Sequence, residues 1–263
     1  FKQLATYIKK NYGIYLKEGK GALLRGRLNN ILIQNNFKNF SQYYEYLLED
    51  KTGERVSNML NKITTNHTFF MREAEHFEYL RDKVLPYLLN SIRDKDLRIW
   101  SAGCSTGEEP YTIAMLIDEF FKGGKLGWDT KVLATDISSK VLETATKGIY
   151  SKREVETLPF SWRCNYFKKF DDKNFIIDDR IKNEVIYRKL NLMDRVFPFK
   201  RKFHSIFCRN VMIYFDAQTR HELVEKFYDL TEYGGYLFVG HAESIDRRRT
   251  RYKYIMPSIY RKE

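Results

Sequence analysis

The stretch Trp100-Ser-Ala-Gly-Cys-Ser-Thr-Gly-Glu-Glu-Pro-Tyr111 constrains this chain more than any other. An apolar approach, Leu97-Arg98-Ile99-Trp100, reads as a buried strand running into a tight turn of small residues bracketed by Gly103 and Gly107. Beyond Pro110, Tyr111-Thr-Ile-Ala-Met-Leu-Ile-Asp-Glu-Phe120 has the apolar recurrence of a helix packed on a sheet. Strand, glycine turn and helix in that order form the opening unit of an α/β sheet. Such sheets grip nucleotide-like ligands at the carboxyl end of the first strand. A glycine turn by itself is also ordinary α/β chemistry, so the reading depends on what surrounds it.

Gly103-x-x-x-Gly107 is not the dinucleotide fingerprint, and Glu108 and Glu109 follow where a phosphate site would exclude negative charge. A carboxylate there suits a ligand with an amino group and no phosphate, a description that S-adenosylmethionine fits. Lys131-Val-Leu-Ala-Thr-Asp136 reads as a second strand ending in an acid, the place where ribose hydroxyls are held in dinucleotide folds. The separation exceeds the usual spacing of about 20 residues, and the loop around Gly123, Gly124 and Gly127 takes up the excess. The alternative is that Asp136 only caps a helix beginning near Ser138.

The sheet continues through Val185–Leu192 and Phe203–Cys208, and the latter runs directly into Arg209-Asn210-Val-Met-Ile-Tyr214-Phe-Asp216. Gly234-Gly235 then turns the chain into Tyr236–Gly240, and Tyr252 to Tyr260 reads as a last strand. Between Lys147 and Val185, Gly148–Tyr150, Tyr166–Phe170, Asn174–Asp178 and Asp179–Lys182 suggest a short antiparallel insertion with a compact turn at Asp171-Asp-Lys-Asn174.

The amino-terminal part differs in character. Phe1, Leu4 and Ile8 share one helical face, as do Leu24, Leu28, Ile31 and Leu32. Ser41 is placed to cap a third helix with the stripe Phe40, Tyr43, Tyr44, Leu47 and Leu48, and Val56, Met59, Leu60 and Ile63 give a fourth. A further amphipathic run, Phe77, Leu80, Val84, Leu85 and Leu88, leads into the sheet. The expected organisation is a helical domain over 1–75 and an α/β domain over 76–263, with residues 147–185 as a β-subdomain insertion.

Ile63–Glu73, Trp100–Tyr111, Ala134–Asp136, Asn191-Leu192, Phe207–Asp216 and Gly234–Glu243 occur in sequence, and together they resemble the CheR family of chemotaxis receptor glutamate methyltransferases. The resemblance implies a Rossmann-like class I S-adenosylmethionine methyltransferase sheet, S-adenosylmethionine as cofactor and S-adenosylhomocysteine as product. It points to Asn66, Thr68 and Arg72 at or near the cofactor. The small-residue turn at Ala102 and Gly103 would cradle it. One acid of the Gly-Glu-Glu-Pro turn would take its amino group, with Glu109 favoured and Glu108 left open. Asp136 would hold the ribose, Asn191 and Leu192 would flank the adenine, and Arg209 and Asn210 would line the pocket. Arg72 and Tyr214 would act at the reacting centre. Met71 stands where the family has a second aromatic before the arginine.

The chemistry also follows from the reactants. A glutamate carboxylate with a pKa of about 4.3 is already a nucleophile at neutral pH, and a sulfonium methyl is already activated, so positioning is the main task. Arginine orients carboxylates through its planar fork. The competing reading of Arg72 is a surface salt bridge with Glu73 or Glu75, and that of Tyr214 is a half-buried core aromatic.

Charge points to partners. Residues 1–40 hold Lys2, Lys9, Lys10, Lys17, Lys20, Arg25, Arg27 and Lys38 against a single acid, Glu18, within a chain of net charge +12. Such a run is either a solvated face or a footprint for an acidic partner; under the resemblance, that partner is a chemoreceptor's cytoplasmic helical bundle. The resemblance also implies a β-subdomain that in some members docks a receptor tail peptide through a glycine-containing hairpin insertion; the tight, glycine-free turn at 171–174 departs from that form, so independence from such a pentapeptide is expected. Cys104, Cys164 and Cys208 leave an odd count, which fits a reducing cytoplasm. His67, His76, His204, His221 and His241 show no ligand spacing, so no metal is expected. No signal peptide is visible, and no apolar run approaches the roughly 20 residues that span a bilayer. A monomer without nucleic-acid partners and without membrane insertion is expected. The alternatives are a nucleic-acid methyltransferase, which the basic charge allows but no base-reading loop supports, and a non-catalytic cofactor-binding protein.

Overall fold

A computed structural model describes residues 1–15, 18–64, 67–122, 124–125 and 127–263, with side chains of 18–24 left aside. The amino-terminal helices are α1 (Lys2–Tyr12), α2 (Glu18–Gln34), α3 (Phe40–Leu48) and α4 (Glu54–Ile63). Leu4 and Ile8 of α1, Leu28, Ile31 and Leu32 of α2, Tyr43 and Leu47 of α3, and Val56, Met59, Leu60 and Ile63 of α4 are buried. Leu24 lies outside the described side chains. The cap of α3 is Asn39, not Ser41: its side chain accepts from the Gln42 amide, which starts the helix at Phe40 and puts Ser41 inside its first turn. Leu48 is exposed, because it falls past the buried stripe.

The connection to the sheet is α5 (Ala74–Tyr79), a π-turn over Leu80–Val84, and α6 (Leu85–Ser91). Then come β1 (Ile99–Ala102), α7 (Glu108–Phe120), β2 (Val132–Asp136) and α8 (Ser139–Lys147). The insertion holds β3 (Ile149–Ser151), α9 (Lys152–Val155), α10 (Phe160–Tyr166), β4 (Phe167–Lys169) and β5 (Asn174–Ile177). It ends with α11 (Asp179–Lys182), a helical turn where the sequence suggests an extended segment; Asp178 caps it by accepting from the Arg180 amide. The chain closes with β6 (Val185–Lys189), β7 (Phe203–Cys208), α12 (Ala217–Leu230), β8 (Thr231–Val239), β9 (Lys253–Met256) and β10 (Ile259–Arg261). The last expected strand is thus a hairpin, β9 and β10, turned at Ser258 with φ of 66°.

The main sheet has the order β6-β2-β1-β7-β8-β10-β9, parallel from β6 to β8, with β10 antiparallel to both neighbours. The insertion forms its own antiparallel sheet, β3-β5-β4. Strand order reverses between β1 and β7, the switch point where open α/β sheets leave a crevice beyond their carboxyl ends.

Two apolar layers cover the sheet. One packs α5, α6, α7 and the insertion around Ile99, Phe207 and Phe238. The other joins the amino-terminal helices and α12 to the opposite face, at Trp100, Ile206 and Leu237. A bridge from Ile14 to Phe215 and a bond from the Tyr15 amide to the Tyr214 carbonyl (2.8 Å) tie the helical part to the segment after β7. Among the described residues, no helix is long and apolar enough to cross a membrane.

Candidate active site

The turn after β1 is built for close approach. Gly103 has φ of +85°, and a β-carbon there would run into the Val211 side chain. Its amide and that of Cys104 both donate to the Thr135 carbonyl, at 2.8 and 2.9 Å, which pins the turn to β2. Gly107, with φ of +101°, precedes α7, whose first turn carries Glu108 and Glu109, favourable charges at a helix start.

These two acids part company. Glu108 is 2% exposed and accepts from the Thr106 hydroxyl, and burial pushes its carboxyl up to about 7. Glu109 faces the crevice, accepting from the Ser101 hydroxyl at 2.7 Å and from Arg209 at 2.9 Å. Asp136, at the end of β2, accepts the amides of Ser105 (2.9 Å) and Ser138 (3.0 Å), and burial raises its carboxyl. The cap of α8 is the Ser138 hydroxyl, which accepts from Val141. Asp136 therefore braces the turn before that helix while its carboxylate still lines the crevice.

Arg209 leaves β7 with its side chain 2% exposed. Its guanidinium donates to Glu109, to Glu73 at 3.1 Å and to the Arg72 carbonyl, and it lies 5.0 Å over the Phe77 ring. Burial alone would raise the Glu73 carboxyl, but Arg209, the Asn210 amide group and the His241 amide together hold it below its ordinary value. Asn210 has φ of 60°; its backbone amide donates to Glu243 at 2.8 Å. Glu243 also accepts from the Gly240 and Ile213 amides, so one buried carboxylate shapes the loop carrying Asn210 and Tyr214.

The resulting cavity, open to solvent, is lined by Thr68, Arg72, Gly103, Glu109, Asp136, Asn191, Leu192, Arg209, Asn210 and Tyr214. Ala102 is fully buried in β1 and does not reach the lining. Asn66 lies outside the described residues. Arg72 pairs with neither Glu73 nor Glu75: its guanidinium donates to the His67 carbonyl at 2.5 Å. The Asn191 side chain is already committed, donating to the Asn11 carbonyl and accepting from the Met193 amide. Cys208 is buried and its thiol is pushed well up by burial, as a packing cysteine should be.

The helical part closes the cavity, with Tyr12, Ile14, Leu60, Asn61 and Thr64 on its wall. Sequence reasoning missed these residues, along with Glu73 and Glu243. The helical positions carry no local signal, because their partners lie a domain away.

The whole length of the chain has counterparts. Residues 66–260 match the family described as CheR methyltransferase, SAM binding domain, and residues 1–64 match CheR methyltransferase, all-alpha domain. A chemotaxis protein methyltransferase of Borreliella burgdorferi is 43% identical, over 99% of this chain and 93% of that protein. A probable chemotaxis protein methyltransferase of Rhizobium etli is 37% identical, over 97% and 99%. The chemotaxis protein methyltransferase of Escherichia coli is 33% identical, over 99% and 89%.

A mixed sheet, parallel from β6 to β8 with its crevice at the switch point and matched to an S-adenosylmethionine-binding domain, defines an S-adenosylmethionine-dependent methyltransferase. The chain belongs to the CheR methyltransferase family. Its reaction is methyl transfer to chemoreceptors in chemotaxis.

Proposed function

We propose that this enzyme esterifies glutamate side chains on a chemoreceptor's cytoplasmic helical bundle, with the cavity beyond β1, β2 and β7 holding both donor and acceptor. The supporting observation is that two carboxylates line its walls, Glu109 beside Arg209 and Asp136 at the end of β2, with the tight Gly103 turn packed against Val211 on the same wall. In this reading Glu109 takes the amino group of S-adenosylmethionine, Asp136 takes the ribose hydroxyls, and Asn191 and Leu192 flank the adenine. Asn191 does so through its backbone and the cavity-facing surface of its side chain, since its amide is engaged elsewhere. Thr68, Arg209 and Asn210 complete the lining.

When bound, S-adenosylmethionine supplies a sulfonium-activated methyl group. The acceptor glutamate is ionised at neutral pH, so no residue here has to remove a proton. Arg72, anchored on the His67 carbonyl, keeps donors to spare and orients the acceptor without burying its charge. Tyr214, whose backbone is pinned to Tyr15, shapes the wall around the reacting atoms. Alignment of this kind can lower a barrier by about 7–11 kcal/mol.

The receptor-facing footprint is narrower than the sequence charge suggests. Lys9 pairs with Asp216 at 2.7 Å and the Arg27 guanidinium donates to the Ile63 carbonyl, while Lys17 and Lys20 lie outside the described side chains. Lys2, Lys10, Arg25 and Lys38 remain exposed. We read residues 1–75 as the docking part and 76–263 as the catalytic part, with 147–185 inserted. The β4–β5 turn is closed by Asp171, which accepts the amides of Lys173 and Asn174. That compactness supports activity without a receptor tail pentapeptide, in a monomer working in the cytoplasm.

The test is transfer of labelled methyl to a purified receptor cytoplasmic fragment. Alkali should release the label as methanol, as esters do and methylated bases or amines do not. Label that resists alkali would sink the proposal.

A further inference from the structure

We infer that Glu73, His76 and His241 form a binding site for one divalent transition-metal ion of the zinc class, beside the cofactor cavity and separate from its lining. One ligand atom from each residue can be chosen so that all lie within 4.8 Å of one another, and this is the one such cluster among the described residues. Ligand atoms around a tetrahedral zinc stand about 3.4 Å apart, given bond lengths near 2.0–2.1 Å. Glu73 Oε2 and His76 Nδ1 are already 3.5 Å apart. His241 is exposed, so rotation of its ring can supply the remaining closure.

A second observation comes from His76 itself. Its side chain is 1% exposed, and neither ring nitrogen has a hydrogen-bond partner. A buried imidazole offers one donor and one acceptor that packing alone does not satisfy, so a polar partner for these nitrogens lowers the free energy. The His241 ring lies nearly perpendicular to it, with centroids 4.9 Å apart, and the Phe238 ring packs against it at 6.0 Å.

The local sequence serves this arrangement. Glu73 and His76 are three apart at the start of α5, a Glu-x-x-His spacing that presents both ligands to one side. Glu73 adopts φ of 57°, which turns its carboxylate back toward the segment after β8. There the His241 amide donates to Glu73 Oε1 at 3.3 Å, fixing the third ligand nearby. Two imidazoles and a carboxylate suit zinc and its neighbours in the first transition row. The exposed side of His241 leaves a fourth position for water.

Arg209 is the competing charge, 3.1 Å from Glu73 Oε2. It also holds Glu109 and the Arg72 carbonyl, so a metal that takes that oxygen leaves the guanidinium these two acceptors, its Nε having none in either case. Spacing along the chain concealed the site, because His241 follows β8, far along the sequence from Glu73 and His76.

The test uses the full chain, free of any polyhistidine tag and stripped with a chelator, titrated with zinc by calorimetry and with cobalt as an optical probe. The expected result is one ion per chain, and at least about tenfold weaker zinc binding in His241→Ala. That exposed position avoids the folding defect a change at buried His76 could bring. Absence of stoichiometric zinc binding by the wild type overturns the inference, and so does equal affinity in His241→Ala.

Discussion

The guanidinium of Arg209 lies 2.9 Å from the carboxylate of Glu109, and this contact joins the end of β7 to the first turn of α7 across the switch point of the sheet. Each group is held from behind, Glu109 by the Ser101 hydroxyl and Arg209 by Glu73. The carboxylate is therefore oriented before any ligand arrives.

From this follows the effect of Glu109→Gln. The amide keeps an acceptor for Ser101 but loses the charge that would meet an ammonium group. Hydrogen bonds to charged groups contribute about 1.5–3 kcal/mol, so affinity for S-adenosylhomocysteine should fall about tenfold or more. Calorimetry on the purified variant reads this directly. Glu108→Gln is the comparison: its buried side chain, held by Thr106, is expected to leave that affinity within about threefold.

Asp136 calls for a more careful substitution. Alanine would orphan the Ser105 and Ser138 amides, each costing about 1–3 kcal/mol of stability, and would blur folding with binding. Asp136→Asn keeps one oxygen acceptor and the shape. It should weaken S-adenosylhomocysteine binding several-fold and, because the two amides use different oxygens, orphan one of them at a cost of about 1–3 kcal/mol, half the loss expected for alanine. Unchanged affinity in a folded variant would place the ribose elsewhere.

Two glycines give opposite expectations. Gly103→Ala puts a β-carbon into the Val211 side chain at φ of +85°, so it should cost at least about 1–2 kcal/mol and weaken cofactor binding. Gly26 sits on α2, and an alanine β-carbon at that position would meet nothing within 4 Å. Gly26→Ala should therefore stabilise by about 0.5–1 kcal/mol. For a chain of this size, each kcal/mol moves the melting temperature by about 2–4 °C, so thermal scans of both variants read the signs.

The strand–turn–helix at 99–120 was legible because its signals are local: a short apolar strand, glycines where φ is positive, and a long amphipathic helix. The positions of Asp136 and Arg209 on the cavity wall were legible for the same reason, one closing a buried strand and the other directly following one. Ser41 misled because Asn39, two residues earlier, is an equally good cap, and composition cannot choose between them. Tyr12 and Ile14 on the cavity wall were illegible: their role depends on the helical part folding onto residues near 214, and no periodicity encodes that. Glu73 and Glu243 look like surface charges in the sequence. Only the fold shows Glu73 half-buried and pairing with Arg209, and Glu243 buried and accepting the loop amides.

Asp216 offers a pH-dependent test of how the two parts of the chain hold together. Its carboxyl is held down at about 2, first by the bond from Lys9 and then by the Thr219 amide it accepts as cap of α12. A carboxyl depressed on folding adds stability that is present above its unfolded pKa of about 3.9 and is lost as pH falls through the folded value. Asp216→Ala removes both the cap and an ion pair that is partly open to solvent. The cap contributes about 1 kcal/mol, and a screened pair adds about 0.2–1 kcal/mol. Urea unfolding at pH 7 should show the variant weaker by about 1–2 kcal/mol. The gap should narrow as pH drops from about 4 toward 2, where the wild-type carboxylate also takes up its proton. Lys9→Ala should reproduce only the ion-pair share, with the same direction in pH. A gap that stayed constant to pH 2 would mean the pair does not form, and Lys9 would then join the exposed bases available to a receptor.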